Sequence, residues 1–270
     1  MTIVVTKLSH YWHKSVRGEA TPDATLVCSR RLDHSMQNSQ HINSAFAQDL
    51  SDLRMDIVRL GMLASRQLNA SLRAMSDFQF GQIDRLIRQD AELDKLQELI
   101  DEKVISIITK RAPRAYDLRL VVTAARIASD LERVGDYARN IAKRTSAVMN
   151  DNASSNLPWD RLIEIGTLVA GMIDDVLDAY QQGDIDAAQA IRNSDIHVDK
   201  LNTSFIQEII DLMESNKLSA IVGTHLIFMS KNLERIGDYT TSIAEQVHFI
   251  VTGEALGATR PKADKSSLIS

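Results

Sequence analysis

Asp130-Leu131-Glu132-Arg133-Val134-Gly135-Asp136-Tyr137 is written twice in this chain, returning as Asn232-Leu233-Glu234-Arg235-Ile236-Gly237-Asp238-Tyr239. Both copies run on to an Ile-Ala pair, Ile141-Ala142 and Ile243-Ala244. Upstream, Ile87-Arg88 and the spacing Asp90-x-x-x-Asp94-Lys95-Leu96 return as Ile191-Arg192 and Asp195-x-x-x-Asp199-Lys200-Leu201. Segments repeated in the same order mean that a whole structural unit has been duplicated. The fold therefore has two equivalent halves.

The period of the apolar residues says what each half is. Around the second copy, Val222, Leu226, Met229, Leu233, Ile236, Thr240, Ile243 and Val247 alternate steps of four and three. Around the first, Leu120, Ala124, Ile127, Leu131, Val134, Ala138, Ile141 and Thr145 do the same. Such a seam turns a helix into a bundle with shallow crossing angles. The pattern predicts six helices, near residues 42–75, 82–110, 116–149, 159–182, 184–214 and 218–252. Pro113, Gly183 and Ser215-Asn216 mark breaks between them, and the turn formers from Asn150 to Pro158 form a linker. The expected fold is all-α: two tandem three-helix bundles over residues 41–150 and 159–253, joined by a linker at 151–158. A disordered extension is expected at 1–40, where Ser, Thr, His and Arg accumulate without periodicity, and a flexible tail at 254–270. Met36, just ahead of the periodic region, reads as a natural start.

Composition narrows the function. With 36 acidic against 31 basic residues the formal net charge is −5, and no basic stripe stands out, so nucleic acid is not an expected partner. The longest uncharged run of the periodic region, Leu218 to Ser230, falls short of the roughly 20 apolar residues that span a bilayer. No signal-peptide core follows Met1, so a cytoplasmic location is expected. The single cysteine, Cys28, allows neither an internal disulfide nor a cysteine-based zinc site.

The carboxylates of the repeat are the candidate chemistry. Glu132 and Asp136 lie one helical turn apart on one face, as do Glu234 and Asp238. The spacing returns in Asp90 with Asp94 and in Asp195 with Asp199. Like charges four apart repel by a few tenths of a kcal/mol, so something should offset them: a nearby arginine, water or a cation. One such pair is weak evidence, because a solvated acidic face gives the same pattern. Two pairs at matching places in each half are more informative, since neighbouring helices can bring them together. Counted from the seam near Leu131, Val134 and Ala138, Glu132 and Asp136 point well away from the core, and the acidic pairs are expected to face outward. Oxygen-only ligands suit hard ions, here Mg, Mn, Ca or Fe. Gly135 and Gly237, inside helices where glycine costs about 1 kcal/mol relative to alanine, imply close approach of a neighbouring backbone or a ligand.

Together these residues resemble the PhoU family, bacterial accessory proteins of phosphate transport. The likeness covers residues 41–252. Its most specific parts are the two Leu-Glu-Arg-x-Gly-Asp-Tyr segments, the opening His41-Ile42-x-x-x-Phe46, and Arg111-Ala112-Pro113 followed by Asp117-Leu118-Arg119. The resemblance implies two three-helix bundles with surface metal ions on Asp90, Asp94, Glu132, Asp136, Asp195, Asp199, Glu234 and Asp238. It also implies a homodimer and negative regulation of the phosphate-starvation response. The implied partners are the ATPase subunit of a phosphate ABC transporter and a phosphate-sensing histidine kinase, so that the chain meets a membrane only through them. No catalytic residue is implied.

Three other readings compete. A ferritin-like di-iron enzyme needs Glu-x-x-His on two helices with ligands pointing inward, and only Glu245-x-x-His248 has that spacing. A helical metal phosphohydrolase would show a His-Asp dipeptide, which is absent; His197 reads as an exposed residue and His225 as a core-edge one. A metal-free helical adaptor explains the periodicity but leaves the paired acids without a purpose.

Overall fold

The computed structural model describes residues 24–77, 80–150 and 157–256, with side chains described for 44–76, 91–150 and 157–256. Six helices make up the described chain, with no strand among the described residues: α1 (Ala24–Asp77), α2 (Phe80–Arg111), α3 (Ala115–Met149), α4 (Trp159–Gln182), α5 (Ile185–Glu214) and α6 (Ala220–Thr252).

Five helices start within two residues of where the breaks place them; the first does not. It begins at Ala24, so residues 24–40, expected to be disordered, are helical, and Met36 lies inside the helix. Lack of amphipathic period is not lack of helix. Between Ala24 and Leu60 there is no glycine or proline, and extending an existing helix costs far less than nucleating one. Residues 1–23, most of the expected linker (151–156) and the tail from 257 lie outside the described residues. The chain divides into two units between Gln48 and Asp49, and both repeats belong to the second.

The helix ends have local causes. Gly183 closes α4 in the left-handed conformation at φ 66°, and the Asp184 side chain then accepts hydrogen bonds from the backbone N–H of Asp186 and Ala187 to open α5. Ser219 does the same for α6 through Val222, which is why that helix starts after Leu218. Around Pro113, Ala112 and Ala115 both take positive φ (46° and 48°) to reverse the chain between α2 and α3. The flanking arginines hold this corner. Arg111 pairs with Asp49 of α1 at 2.9 Å, and the Arg119 Nε donates to the Ile250 carbonyl at 3.1 Å, against the negative end of α6.

Every residue of both predicted seams is buried. α2 packs on α3, α5 on α4 and α6, and α6 also on α3 and α4. α1 joins through Ser71, whose hydroxyl donates to the Ala138 carbonyl of α3 at 2.8 Å, and through Ser65, which donates to Asp174 of α4 at 2.8 Å.

The two halves meet about a local two-fold. On α3 and α6, Arg133 lies over the Tyr239 ring and Arg235 over the Tyr137 ring (5.8 and 5.6 Å), while the two tyrosines stack at 5.9 Å. Partners exchange between the repeats as position rises on one helix and falls on the other, so α3 and α6 run antiparallel. α1 and α4 obey the same rule. Gly61 leaves a notch filled by Leu177, and Gly166 leaves one filled by Leu72. Each repeat thus supplies both a knob and a hole.

Candidate metal centre

The repeated motif now separates into roles. Leu131 and Leu233 are core. Arg133, Tyr137, Arg235 and Tyr239 tie the repeats together. The glycines admit neighbouring side chains, where the sequence implied a backbone or a ligand. A Cβ on Gly135 would stand 3.0 Å from Leu93 and 3.2 Å from the Gln67 amide oxygen, whereas one on Gly237 would stand 3.1 Å from the Asp195 carboxylate. The Glu and Asp of the motif remain for chemistry.

In the first repeat, Asp94 on α2 is exposed and Glu132 and Asp136 on α3 are half-buried. Burial raises the Glu132 pKa above its ordinary value, and the negative charges of Asp136 and Asp94 push it further. The Asp136 pKa is also raised, first by burial and then by Asp94, with Lys143 and Arg133 opposing. Three of the four expected acids therefore feel one another; the Asp90 side chain lies outside the described residues. Arg139 forms an ion pair with Asp136.

The second repeat differs. Asp195 and Asp199 on α5 are 1% and 2% exposed, and Glu234 on α6 is 6% exposed with Lys231 3.2 Å away; only Asp238 is half-buried. The expectation of outward-facing carboxylates fails here. The seam marks one face of α6, but α3, α4 and α5 all pack against that helix, so a position beside the seam still faces protein. Nearby, the buried Ser230 hydroxyl donates to Asn202 at 2.7 Å. Thr241 occupies the place of Arg139, and its hydroxyl donates to the Gly237 carbonyl.

Among the described residues no group of three or more His, Cys, Asp or Glu is arranged around a common point as metal ligands. The donor chemistry nonetheless fits a hard cation in each half: oxygen-only ligands on adjacent helices, mutually repelling in the first and buried in the second. Glu245 is held by Arg192 at 3.4 Å and the His248 Nδ1 lies 3.1 Å from the Glu254 carbonyl oxygen at the surface, so the Glu-x-x-His spacing points to no inward site. His197 is exposed, and His225 is half-buried with its Nδ1 3.4 Å from Arg144. The Arg–Tyr pairs and the glycine notches were missed from sequence. Their signal was present, in the Arg and Tyr common to both motif copies and in the equal Gly-to-Leu spacing of α1 and α4.

The sequence pattern of the PhoU domain matches this chain twice, over residues 57–145 and 162–247. The chain belongs to the PhoU family. A protein of Rhizobium meliloti named phosphate-specific transport system accessory protein PhoU homolog is 37% identical over 229 residues, covering 85% of this chain and 96% of the relative. A Caulobacter vibrioides protein of the same name is 37% identical over 227 residues, covering 84% and 98%. The fold agrees with crystal structures of PhoU from Pseudomonas aeruginosa (TM-score 0.74, 29% identity, 77% of this chain and 100% of that one) and of the phosphate transport system regulatory protein PhoU from Streptococcus pneumoniae (TM-score 0.73, 27% identity, 79% and 100%). Among the described residues of this PhoU-family chain, no helix is long and apolar enough to cross a membrane.

Proposed function

We propose that this chain regulates phosphate uptake and holds down the phosphate-starvation response. In this reading it is an adaptor in the cytoplasm, active as a homodimer, between the ATPase subunit of a phosphate ABC transporter and a sensor histidine kinase. The kinase is biased toward its phosphatase state when phosphate is abundant. The observation that carries the reading is the match of both repeats to the PhoU domain, in relatives named as accessory proteins of phosphate-specific transport. Nothing in the reading requires catalysis. Deletion of the gene tests it: alkaline phosphatase should become constitutive in phosphate-rich medium, and unchanged repression refutes the regulatory role.

The acidic sets have a place in this reading. Asp90, Asp94, Glu132 and Asp136 in one half, and Asp195, Asp199, Glu234 and Asp238 in the other, would hold Mg, Mn, Ca or Fe ions after side-chain rotation. A bound ion supplies positive charge that offsets the repulsion among these carboxylates. The chain's own part is to bring them together from adjacent helices and, at Gly237, to leave room for the Asp195 carboxylate. Metal analysis of the purified protein should find stoichiometric divalent or trivalent metal that is lost when Glu132, Asp136, Glu234 and Asp238 are replaced by alanine. Equal metal content in the two proteins refutes the assignment.

A further inference from the structure

The outer side of α1 carries a groove of about 420 Å³ whose chemistry the duplicate helix does not repeat. Met55 and Met62, 57% and 48% exposed, line its floor beside Val58, and Arg54, Arg59 and Arg66 stand along it. The reciprocal notches align α1 with α4 position by position, Gly61 on Gly166 and Leu72 on Leu177. In that register Met55 corresponds to Asp160, Arg59 to Glu164, Met62 to Thr167 and Arg66 to Gly171, and all eight residues are exposed.

The comparison serves as an internal control. Two copies of one helix occupy equivalent places with the same pattern of exposure, and ordinary polar residues suffice in one. The fold therefore does not require methionine or arginine in the other. Exposed apolar area is unfavourable at roughly 25 cal/mol per Å² until something covers it. Methionine adapts its shape to a bound surface, and arginine is enriched where proteins meet. The charge also runs against the whole. The chain carries −5, yet three guanidiniums gather here against Glu92, whose pairing with Arg59 at 3.8 Å is solvent-exposed and weak.

We propose that this groove seats an acidic amphipathic helix of a partner protein, its apolar side chains on the methionine floor and its carboxylates on the arginines. The proposal rests on the adaptor reading, to which it adds a docking face. A lipid bilayer is too flat to enter a groove. A second copy of this chain would bring the Asp160, Glu164 and Thr167 face of α4, which has the acids but not the apolar anchors.

The test titrates the full chain against a fluorescent helical peptide of roughly 20 residues with a leucine stripe flanked by glutamates, and against the same peptide with lysines for glutamates. The glutamate peptide should bind, more weakly at raised salt, and the lysine peptide should not. Transplanting the α4 face (Met55→Asp, Arg59→Glu, Met62→Thr, Arg66→Gly) should weaken binding about tenfold or more while the chain stays folded, its unfolding midpoint somewhat lowered by the interior glycine. Arg59→Glu with Arg66→Glu, which leaves the floor intact, should weaken it in the same direction. Equal binding of both peptides, or undiminished binding by either variant, overturns the proposal. So does self-association that the transplant abolishes, or capture of phosphatidylglycerol vesicles in place of the peptide. Peptide binding reports on the groove alone and the deletion phenotype on regulation alone, so the failure of one idea is separable from the failure of the other.

Discussion

The two repeats share a fold and diverge in where they put charge. In the first, Asp94, Glu132 and Asp136 sit near the surface, and the outer face of α1 carries arginine and methionine. In the second, Asp195, Asp199 and Glu234 are withdrawn from solvent, and the matching face of α4 is acidic and polar. What has stayed alike is what holds the halves together: the seams, the glycine notches and the Arg–Tyr pairs. Duplication first gives two copies of everything. Packing constrains the shared contacts on both sides at once, while each surface is free to specialise.

The largest effects should come from those shared contacts. Leu72 and Leu177 are buried and fill equivalent notches, so Leu72→Ala and Leu177→Ala should each destabilise by about 2–5 kcal/mol, and by similar amounts. Urea unfolding of both variants measures this. Costs differing by several-fold would break the claim that the α1–α4 contact is symmetric. Adding Gly166→Ala to Leu72→Ala should recover part of the loss, because the new methyl group partly fills the notch.

The motif glycines should separate the repeats next. Gly135→Ala meets the end of the Leu93 side chain, which can turn aside, and gains helix propensity worth about 1 kcal/mol; the net change should be small. Gly237→Ala meets the Asp195 carboxylate, which is 1% exposed and has little room to move, and should cost about 1–2 kcal/mol. Thermal unfolding of the two variants decides it. Equal shifts would mean that the acid site does not constrain Gly237.

A smaller effect tests the two-fold itself. Arg133→Ala and Arg235→Ala each remove a guanidinium from the face of a tyrosine across the α3–α6 contact and should cost about 0.5–1 kcal/mol. Cycles that pair Arg133 with Tyr239 and Arg235 with Tyr137 should return similar coupling energies. Coupling in one pair only would show that the contact has drifted toward one repeat.

Much of this architecture was legible in the sequence. The duplicated Leu-Glu-Arg-x-Gly-Asp-Tyr segment and the four–three spacing point to two helical bundles, and each seam residue is buried as the spacing requires. Three features were not legible, for separate reasons. The start of α1 at Ala24 leaves no amphipathic trace. The burial of Glu234 depends on how many helices surround α6, and that of Asp195 and Asp199 on how α5 packs between α4 and α6, which the period of one helix does not encode. The Gly61–Leu177 and Gly166–Leu72 notches need the relative register of α1 and α4, a property of the assembled pair. The spacing named the candidate acids, and their expected surface placement holds for Asp94, Glu132 and Asp136 but fails for Asp195, Asp199 and Glu234.

Glu132 gives the smallest effect, and its sign carries the information. In the folded protein its pKa is raised, first by burial and then by the charges of Asp136 and Asp94, so the folded state holds this proton more tightly than the unfolded chain does. A carboxylate of this kind contributes stability when protonated and loses it as pH rises through the folded pKa. Near neutrality the ionised Glu132 is thus a net cost. In protein freed of metal by chelation, Glu132→Gln should raise the melting temperature at pH 7 by about 2 °C, discounted for the solvent that screens a half-exposed group. The gain should shrink as pH falls toward 4.5, the ordinary value of this group, because the folded wild-type side chain takes up its proton above that value. With a divalent cation present the sign should reverse, because the charge that repelled its neighbours becomes a ligand. Stabilisation by Gln with and without metal would leave the first repeat with a solvated acidic face and confine any ion to the buried acids of the second.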